Sequence, residues 1–299
     1  MFAALITATF AGLAWADWIG LGGASPAWWL LPVAVVLAVG SVDELSRLFA
    51  ARDVVLPAWL LRPAVVAMVL SAAAGAAAFA SATSTASPAA TMGWPSVVMA
   101  LTIMGLFLVE ICRYRPKGGA VERIVAGSFA VAFVGLPLAC IVSLRLLCLE
   151  NIGPEQTGPR HLGMLPLLSL VAVAKAGDIA AYIGGSLFGR QRMAASLSPG
   201  KTWEGAAASL AGSWAAAWIL LERFGAGTPA GPWGGWIVFG AVVGIAGITG
   251  DLAESLVKRE CGAKDSGRSL GGMGGFLDLI DSLLFAAPAA WLLWVAGGL

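Results

Sequence analysis

Runs of about 20 residues that hold almost no charge recur along this chain from end to end, separated by short polar stretches. A run of that length, wound as a helix, matches the hydrocarbon thickness of a bilayer. Inside lipid the backbone must satisfy its own hydrogen bonds, which a helix does. The pattern predicts spans near 2–22, 27–42, 54–80, 94–112, 124–147, 164–188, 205–222, 233–250 and 282–298. The fold class expected is therefore an all-α polytopic membrane protein with about nine transmembrane helices. The stretch "SATSTASPAATMG" after the third run reads as a polar loop.

The polar stretches give an orientation. Those at 43–53 (Arg47, Arg52), 113–123 (Arg113, Arg115, Lys117, Arg123), 189–204 (Arg190, Arg192, Lys201) and 251–281 (Lys258, Arg259, Lys264, Arg268) are basic, whereas those near 81–93 and 223–232 carry almost nothing positive. Positive charge stays on the cytoplasmic side, so the N-terminus is expected in the cytoplasm and the C-terminus outside. Mean hydropathy of +0.86 with 12% charged residues excludes a soluble globular domain. A net charge of +1 gives no bulk attraction to nucleic acid. Cys112, Cys140, Cys148 and Cys261 lack the spacing of a zinc site or disulfide framework and read as scattered buried thiols. The single histidine, His161, reads as a loop or interfacial residue. The N-terminal "MFAALITATFAGLAWADWIG" lacks a basic region before its apolar core and reads as a retained first span. No stretch between spans is long enough to fold alone, which leaves chemistry to short loops and helix ends at the cytoplasmic face.

Three segments bring charge into or beside spans. In "VAKAGDIAAYIGGSLFGR", Lys175 and Asp178 lie three residues apart on one helix face. A charge at that depth marks a functional site unless paired; the plain alternative is a mutual ion pair, and Gly184, Gly185 and Gly189 then serve only close helix packing. In "SLSPGKTWEG", Pro199 and Gly200 read as a turn that leaves Lys201 and Thr202 near the positive end of the next helix, a place suited to phosphate. It is not a P-loop, because Ala195 stands where that motif needs glycine. The third segment, 251–281, holds ten of the chain's 35 charged side chains of Asp, Glu, Lys and Arg. If the preceding helix continues, Asp251, Glu254, Ser255 and Lys258 form one stripe. If the last helix starts near Phe276, Asp278 and Asp281 also share a face. Two such carboxylate sets make an oxygen-rich site for a hard cation such as Mg²⁺, and the "GGMGG" run makes a candidate substrate loop that lets backbone approach phosphate.

At these residues the sequence resembles the phosphatidate cytidylyltransferase, or CDP-diacylglycerol synthase, family. The family signature runs serine, two residues, Lys-Arg, four residues, Lys-Asp, a Pro-Gly-His-Gly-Gly loop and Asp-Arg-x-Asp. Ser255, Lys258, Arg259, Lys264, Asp265, Gly272, Gly274, Gly275, Asp278 and Asp281 fit it in order. Gly250–Asp251, the "SPGKTWEG" loop and "DIAAYIGG" also resemble family blocks, so the resemblance covers roughly 170–290. Three positions depart: Gly271 for the proline, Met273 for the histidine and Leu279 for the arginine.

The resemblance implies an integral inner-membrane enzyme, facing the cytoplasm, that makes CDP-diacylglycerol and pyrophosphate from CTP and phosphatidic acid in phospholipid biosynthesis. It implies catalytic roles for Asp251, Asp265, Asp278, Asp281, Lys258 and Lys264, with the four aspartates as metal ligands. Ser198, Lys201, Thr202, Arg259, Gly274, Gly275 and Asp178 become substrate contacts. Mg²⁺ is the implied cofactor, with K⁺ as a candidate second cation, and the bilayer and a homodimer partner complete the picture. Residues 164–299 are then the catalytic half and 1–163 a structural, oligomerising half. Two alternatives stay open: a non-catalytic family member, to which Met273 and Leu279 point, and an ion-coupled transporter built on Lys175 and Asp178.

Overall fold

The computed structural model describes residues 2–19, 27–81, 92–114, 118–146, 164–225, 231–267 and 274–297. His161, Cys148, Arg115, Lys117, Arg268, Gly271, Gly272 and Met273 lie outside them, as does the residue 163 end of the expected N-terminal half. The described chain is all-α apart from one small hairpin. Its helices are α1 (Phe2–Ile19), α2 (Leu31–Ala50), α3 (Ala58–Ser81), α4 (Gly93–Cys112), α5 (Ala120–Leu146), α6 (Met164–Phe188), α7 (Trp203–Trp218), α8 (Gly235–Glu260) and α9 (Phe276–Ala296). Six of them, α3, α4, α5, α6, α8 and α9, are long and apolar enough to cross a membrane. α2 carries Asp43, Glu44 and Arg47, and α7 has 16 residues before it widens into a π-helical turn over Ile219–Phe224. The protein is an all-α membrane protein.

Three helices outrun their apolar stretches. α2 continues eight residues past the predicted end at 42 because Glu44, Leu45, Arg47 and Leu48 are good helix formers and Val42, Leu45 and Leu48 keep a buried stripe. α8 continues through Glu260, where Lys258 and Arg259 in the last turn suit the negative end of the helix. α9 starts at Phe276 rather than 282. An apolar window measures the part of a helix that lipid accepts, not where its backbone hydrogen bonds stop. The "SLSPGKT" segment is also corrected: Pro199 and Gly200 lie inside strand β2 (Ser198–Thr202), which pairs antiparallel with β1 (Arg192–Ala194), and the turn falls before them. In a two-stranded hairpin each strand is an edge, so proline's missing donor is tolerated there.

The chain divides into two compact units, one of Met1–Ser143 with Glu260–Leu279 and the other of Leu144–Arg259 with Ile280–Leu299. The first packs Val42, Leu45, Leu61, Val65, Met68, Val131 and Val134 in its interior. Phe129 meets Phe49 edge-on at 6.2 Å and stacks on Phe133 at 5.1 Å. Ion pairs Arg62–Asp43 (2.8 Å) and Arg123–Glu110 (2.5 Å) tie α3 to α2 and α5 to α4.

In the second unit Trp294 is the largest fully buried side chain. Its ring meets Phe239 edge-on at 6.4 Å and its indole N–H donates to Ser169 Oγ at 3.2 Å, so α9, α8 and α6 are pinned at one place. α6 and α7 approach through small residues. A Cβ on Gly184 would run into Ala208, one on Gly177 would lie 2.6 Å from Ser213 Oγ, and one on Gly212 would lie 2.5 Å from Ala180 Cβ and 2.9 Å from the Ala176 carbonyl oxygen. Without water to expel between lipid-bathed helices, such contact is what holds them together. Gly212→Val is therefore expected to destabilise the protein by about 1–3 kcal/mol, read as a lower midpoint of thermal unfolding in detergent, whereas Gly200→Ala, which has open space around it, leaves the midpoint in place.

Candidate active site

The second unit gathers the charged groups of three segments. On α8, Asp251 and Glu254 are one turn apart, and Asp281 comes from α9. One carboxylate oxygen from each lies within 4.8 Å of the other two. What allows this closeness is Gly250: a Cβ there would lie 2.5 Å from the backbone oxygen of Asp281. A glycine immediately before Asp251 lets the α9 backbone lie against α8.

Each of these acids is answered by a base or donor. Lys201 Nζ, from β2, pairs with Asp251 Oδ2 at 2.8 Å. Lys258 Nζ donates to Glu254 Oε2 at 2.7 Å across one helical turn, and both side chains are largely buried. The Ser282 backbone N–H donates to Asp281 Oδ1 at 2.6 Å. Beside them, Lys175 Nζ donates to Asp178 Oδ2 and to Ser282 Oγ, both at 3.0 Å, while the Ser282 hydroxyl donates to Asp178 Oδ2 at 2.9 Å. The plain reading of Lys175 and Asp178 as a mutual ion pair is what the structure contains, extended by Ser282 to α9.

The hairpin is fixed to this centre at both ends. Arg259 Nε donates to the Leu197 carbonyl at 3.2 Å, so the end of α8 holds the turn. Thr202 caps α7 by accepting from the Gly205 N–H at 3.1 Å. Glu204 accepts from the backbone N–H groups of Arg190 and Gln191. Its own backbone N–H and that of Arg190 hold its carboxyl below the ordinary range. Ser198 starts β2, half-buried. Lys201, Thr202 and Ser198 thus share one strand rather than flanking a turn, with Lys201 committed to Asp251.

The other expected site residues belong to the first unit. Lys264 and Asp265 are exposed. Asp278 stands in the first turn of α9, where its Oδ2 accepts from the Gly275 N–H at 2.7 Å, the Ser266 hydroxyl at 2.8 Å and the Ser266 N–H at 3.3 Å. The reach back to Gly275 is a helix-capping bond. Gly274 has φ of +88° and a Cβ there would lie 2.5 Å from Asp278 Oδ2, so this position suits glycine twice over. Among the cysteines, Cys112, Cys140 and Cys261 are free, and burial pushes the Cys261 thiol up, away from nucleophilic duty.

Two acids carry no individual role in the sequence reading. The i, i+3 spacing placed Glu254 in a carboxylate set with Asp251, but the family resemblance implied no ligand role for it, and the structure brings it into the cluster. Glu44, fully buried in α2, left only the weaker signal of a carboxylate adjoining an apolar run.

Residues 3–296 match the model of the cytidylyltransferase family. Similar curated proteins are phosphatidate cytidylyltransferases. That of Brucella suis biovar 1 (strain 1330) is 41% identical over 139 residues, 45% of this chain and 48% of the relative. That of Haemophilus influenzae is 39% identical over 200 residues, 64% and 65% of the two chains. That of Mycobacterium tuberculosis is 33% identical over 208 residues, 67% and 58%. The match thus spans about half the length of the Brucella relatives. The resemblance carried by Asp251, Lys258, Arg259 and the residues that follow is upheld along nearly the whole chain: this protein belongs to the cytidylyltransferase family.

Proposed function

We propose that this protein joins CTP to phosphatidic acid, forming CDP-diacylglycerol and pyrophosphate. The observation that carries the proposal is the convergence of Asp251, Glu254 and Asp281 with Lys201 and Lys258 alongside. The names of the relatives support the choice of substrates. A phosphatidate oxygen attacks the α-phosphorus of CTP, the bond from that phosphorus to the bridging oxygen breaks, and pyrophosphate leaves with the electron pair.

The three carboxylates fit a hard divalent ion: oxygens about 3–4.2 Å apart are what octahedral Mg²⁺ demands, and these all lie within 4.8 Å. Asp251, Glu254 and Asp281 would hold Mg²⁺, which when bound would supply positive charge for triphosphate and for the departing pyrophosphate. The chain's own residues do the rest. Lys201 and Lys258 are placed to exchange their carboxylate partners for substrate phosphate, and Arg259 steadies the hairpin that carries Lys201, Ser198 and Thr202. Lys175 and Ser282 fix Asp178 beside the end of α9 that carries Asp281. Lys264, Asp265, Asp278, Gly274 and Gly275 are assigned to substrate or metal by the family resemblance alone, with K⁺ as a second cation. A transport role is not favoured, because Lys175 and Asp178 satisfy one another.

The setting proposed is the inner membrane, with nine spans, the N-terminus and active site on the cytoplasmic side where CTP is found, and the C-terminus outside. Residues 164–299 carry the chemistry, and 1–163 support them and serve a homodimer.

Two measurements check this reading. Purified protein in detergent is expected to form CDP-diacylglycerol from CTP and phosphatidic acid with Mg²⁺ and to stop with EDTA; folded protein that makes none under these conditions refutes it. Asp281→Asn and Glu254→Gln are each expected to weaken Mn²⁺ binding, followed by electron paramagnetic resonance, by about tenfold or more, and Asp281→Ala to lower kcat/KM about a hundredfold. Unchanged Mn²⁺ affinity in both would remove the cluster as the metal site.

A further inference from the structure

The stem of the glycine loop is held by a carboxylate far away in sequence. Glu44 Oε2, on α2, accepts from the Leu277 N–H at 3.0 Å and lies 3.1 Å from Ser266 Oγ, partners 233 and 222 residues away. The Ser266 hydroxyl also lies 2.8 Å from Asp278 Oδ2. Having one proton, it can donate to one carboxylate at a time, so Glu44 and Asp278 close on it from two sides. The fit leaves no slack. A Cβ on Gly267 would lie 2.6 Å from Glu44 Oε1, and one on Gly275 would overlap Glu44 Oε2. Glu44 is fully buried and Ser266 nearly so. Both ends of the segment between Gly267 and Gly275, one before and one after the glycine run, therefore meet the same carboxylate.

We infer that Glu44 is a positioning residue for the glycine loop: it clamps Ser266 and Leu277 so that the described residues on either side of the glycine run, Gly267 and Gly275, are held at fixed points. A plain packing role accounts for this less well. A core position in an apolar helix is filled most cheaply by a hydrocarbon, and a buried carboxylate is tolerated only where donors meet it. The donors here are a first-turn N–H of α9, which has no partner within its own helix, and, on the other side of the loop, the Ser266 hydroxyl, whose one proton Glu44 and Asp278 compete for. The inference rests on the proposed transfer reaction for its effect on activity, though not for the clamp itself.

The test reads both. Hydrogen exchange followed by mass spectrometry on Glu44→Ala is expected to show at least about tenfold faster exchange at Gly275 and Leu277. Activity with CTP and phosphatidic acid should fall about tenfold or more in kcat. Glu44→Gln, which keeps a carbonyl acceptor for Leu277, should recover both to within about threefold. Leu45→Ala, on the same helix and fully buried, supplies the comparison: it lowers the unfolding midpoint but leaves exchange at Gly275 and Leu277 as in the wild type. Unchanged exchange in Glu44→Ala overturns the clamp, and equal acceleration in Leu45→Ala reduces it to general packing. Fast exchange with unchanged kcat overturns the positioning role. Should Glu44→Ala fail to fold, Ser266→Ala asks the same question at the other end, and unaltered exchange at Gly275 refutes the clamp there. A wild type that makes no product refutes the transfer reaction, while the exchange result still decides the clamp.

Discussion

A carboxylate on an apolar helix must meet a cation or a set of donors, and that demand organises the second unit. Asp251, Glu254 and Asp178 are met by Lys201, Lys258 and Lys175. Such pairs add little net stability, because desolvating both partners costs about as much as their attraction returns, yet removing one partner is severe. The lysines therefore act less as glue than as constraints on where things lie. Lys258 reaches Glu254 because both stand on one helix. Lys201 can reach Asp251 only if the hairpin folds back to α8, and Arg259 at the Leu197 carbonyl keeps it there.

The same demand explains why glycine matters at this place. Charge pairing fixes which groups meet, but how closely they meet depends on backbones. Gly250 against the Asp281 backbone sets the approach of α8 to α9, and the small residues of α6 and α7 set that of their pair. A methyl group at Gly250 would open the gap across which Asp251, Glu254 and Asp281 converge. Three carboxylates beside two ammonium groups leave an excess of negative charge, which is what the proposed divalent cation would offset.

Much of this was legible in the chain. Apolar runs located the helices because lipid accepts little else, and the crowding of charge between 251 and 281 pointed to two of the three acids, Asp251 and Asp281, that the structure brings together. The runs fell short of the helix ends in α2, α8 and α9, since Glu, Leu and Lys extend a helix beyond the part that is oily. Asp251 and Asp281 were legible as partners, and Glu254 only as a member of a stripe, because helical spacing tells which residues share a face but not which of them a second helix approaches. Glu44 was not legible: nothing in "SVDELSR" announces donors more than 200 residues away. The hairpin was missed for the opposite reason, since Pro199 and Gly200 are local turn signals that pairing with Arg192–Ala194 overrode.

The replacement of the family's loop histidine by Met273 and of its arginine by Leu279 bears on what the proposed transfer reaction asks of the protein. A phosphate monoester already carries the negative oxygen that attacks, so no strong base is needed to create it, and pyrophosphate leaves as an anion without an obligatory proton. The remaining barrier is the approach of two anions and the charge that develops between them, a matter of positioning and neutralisation. Lysines at 201 and 258 and carboxylates suited to Mg²⁺ address both. An imidazole would add a donor to a scheme already supplied with cations, whereas the loss of a carboxylate from the cluster would remove the means of holding one. On the proposed reaction, the retained acids are thus the part of the signature that matters most.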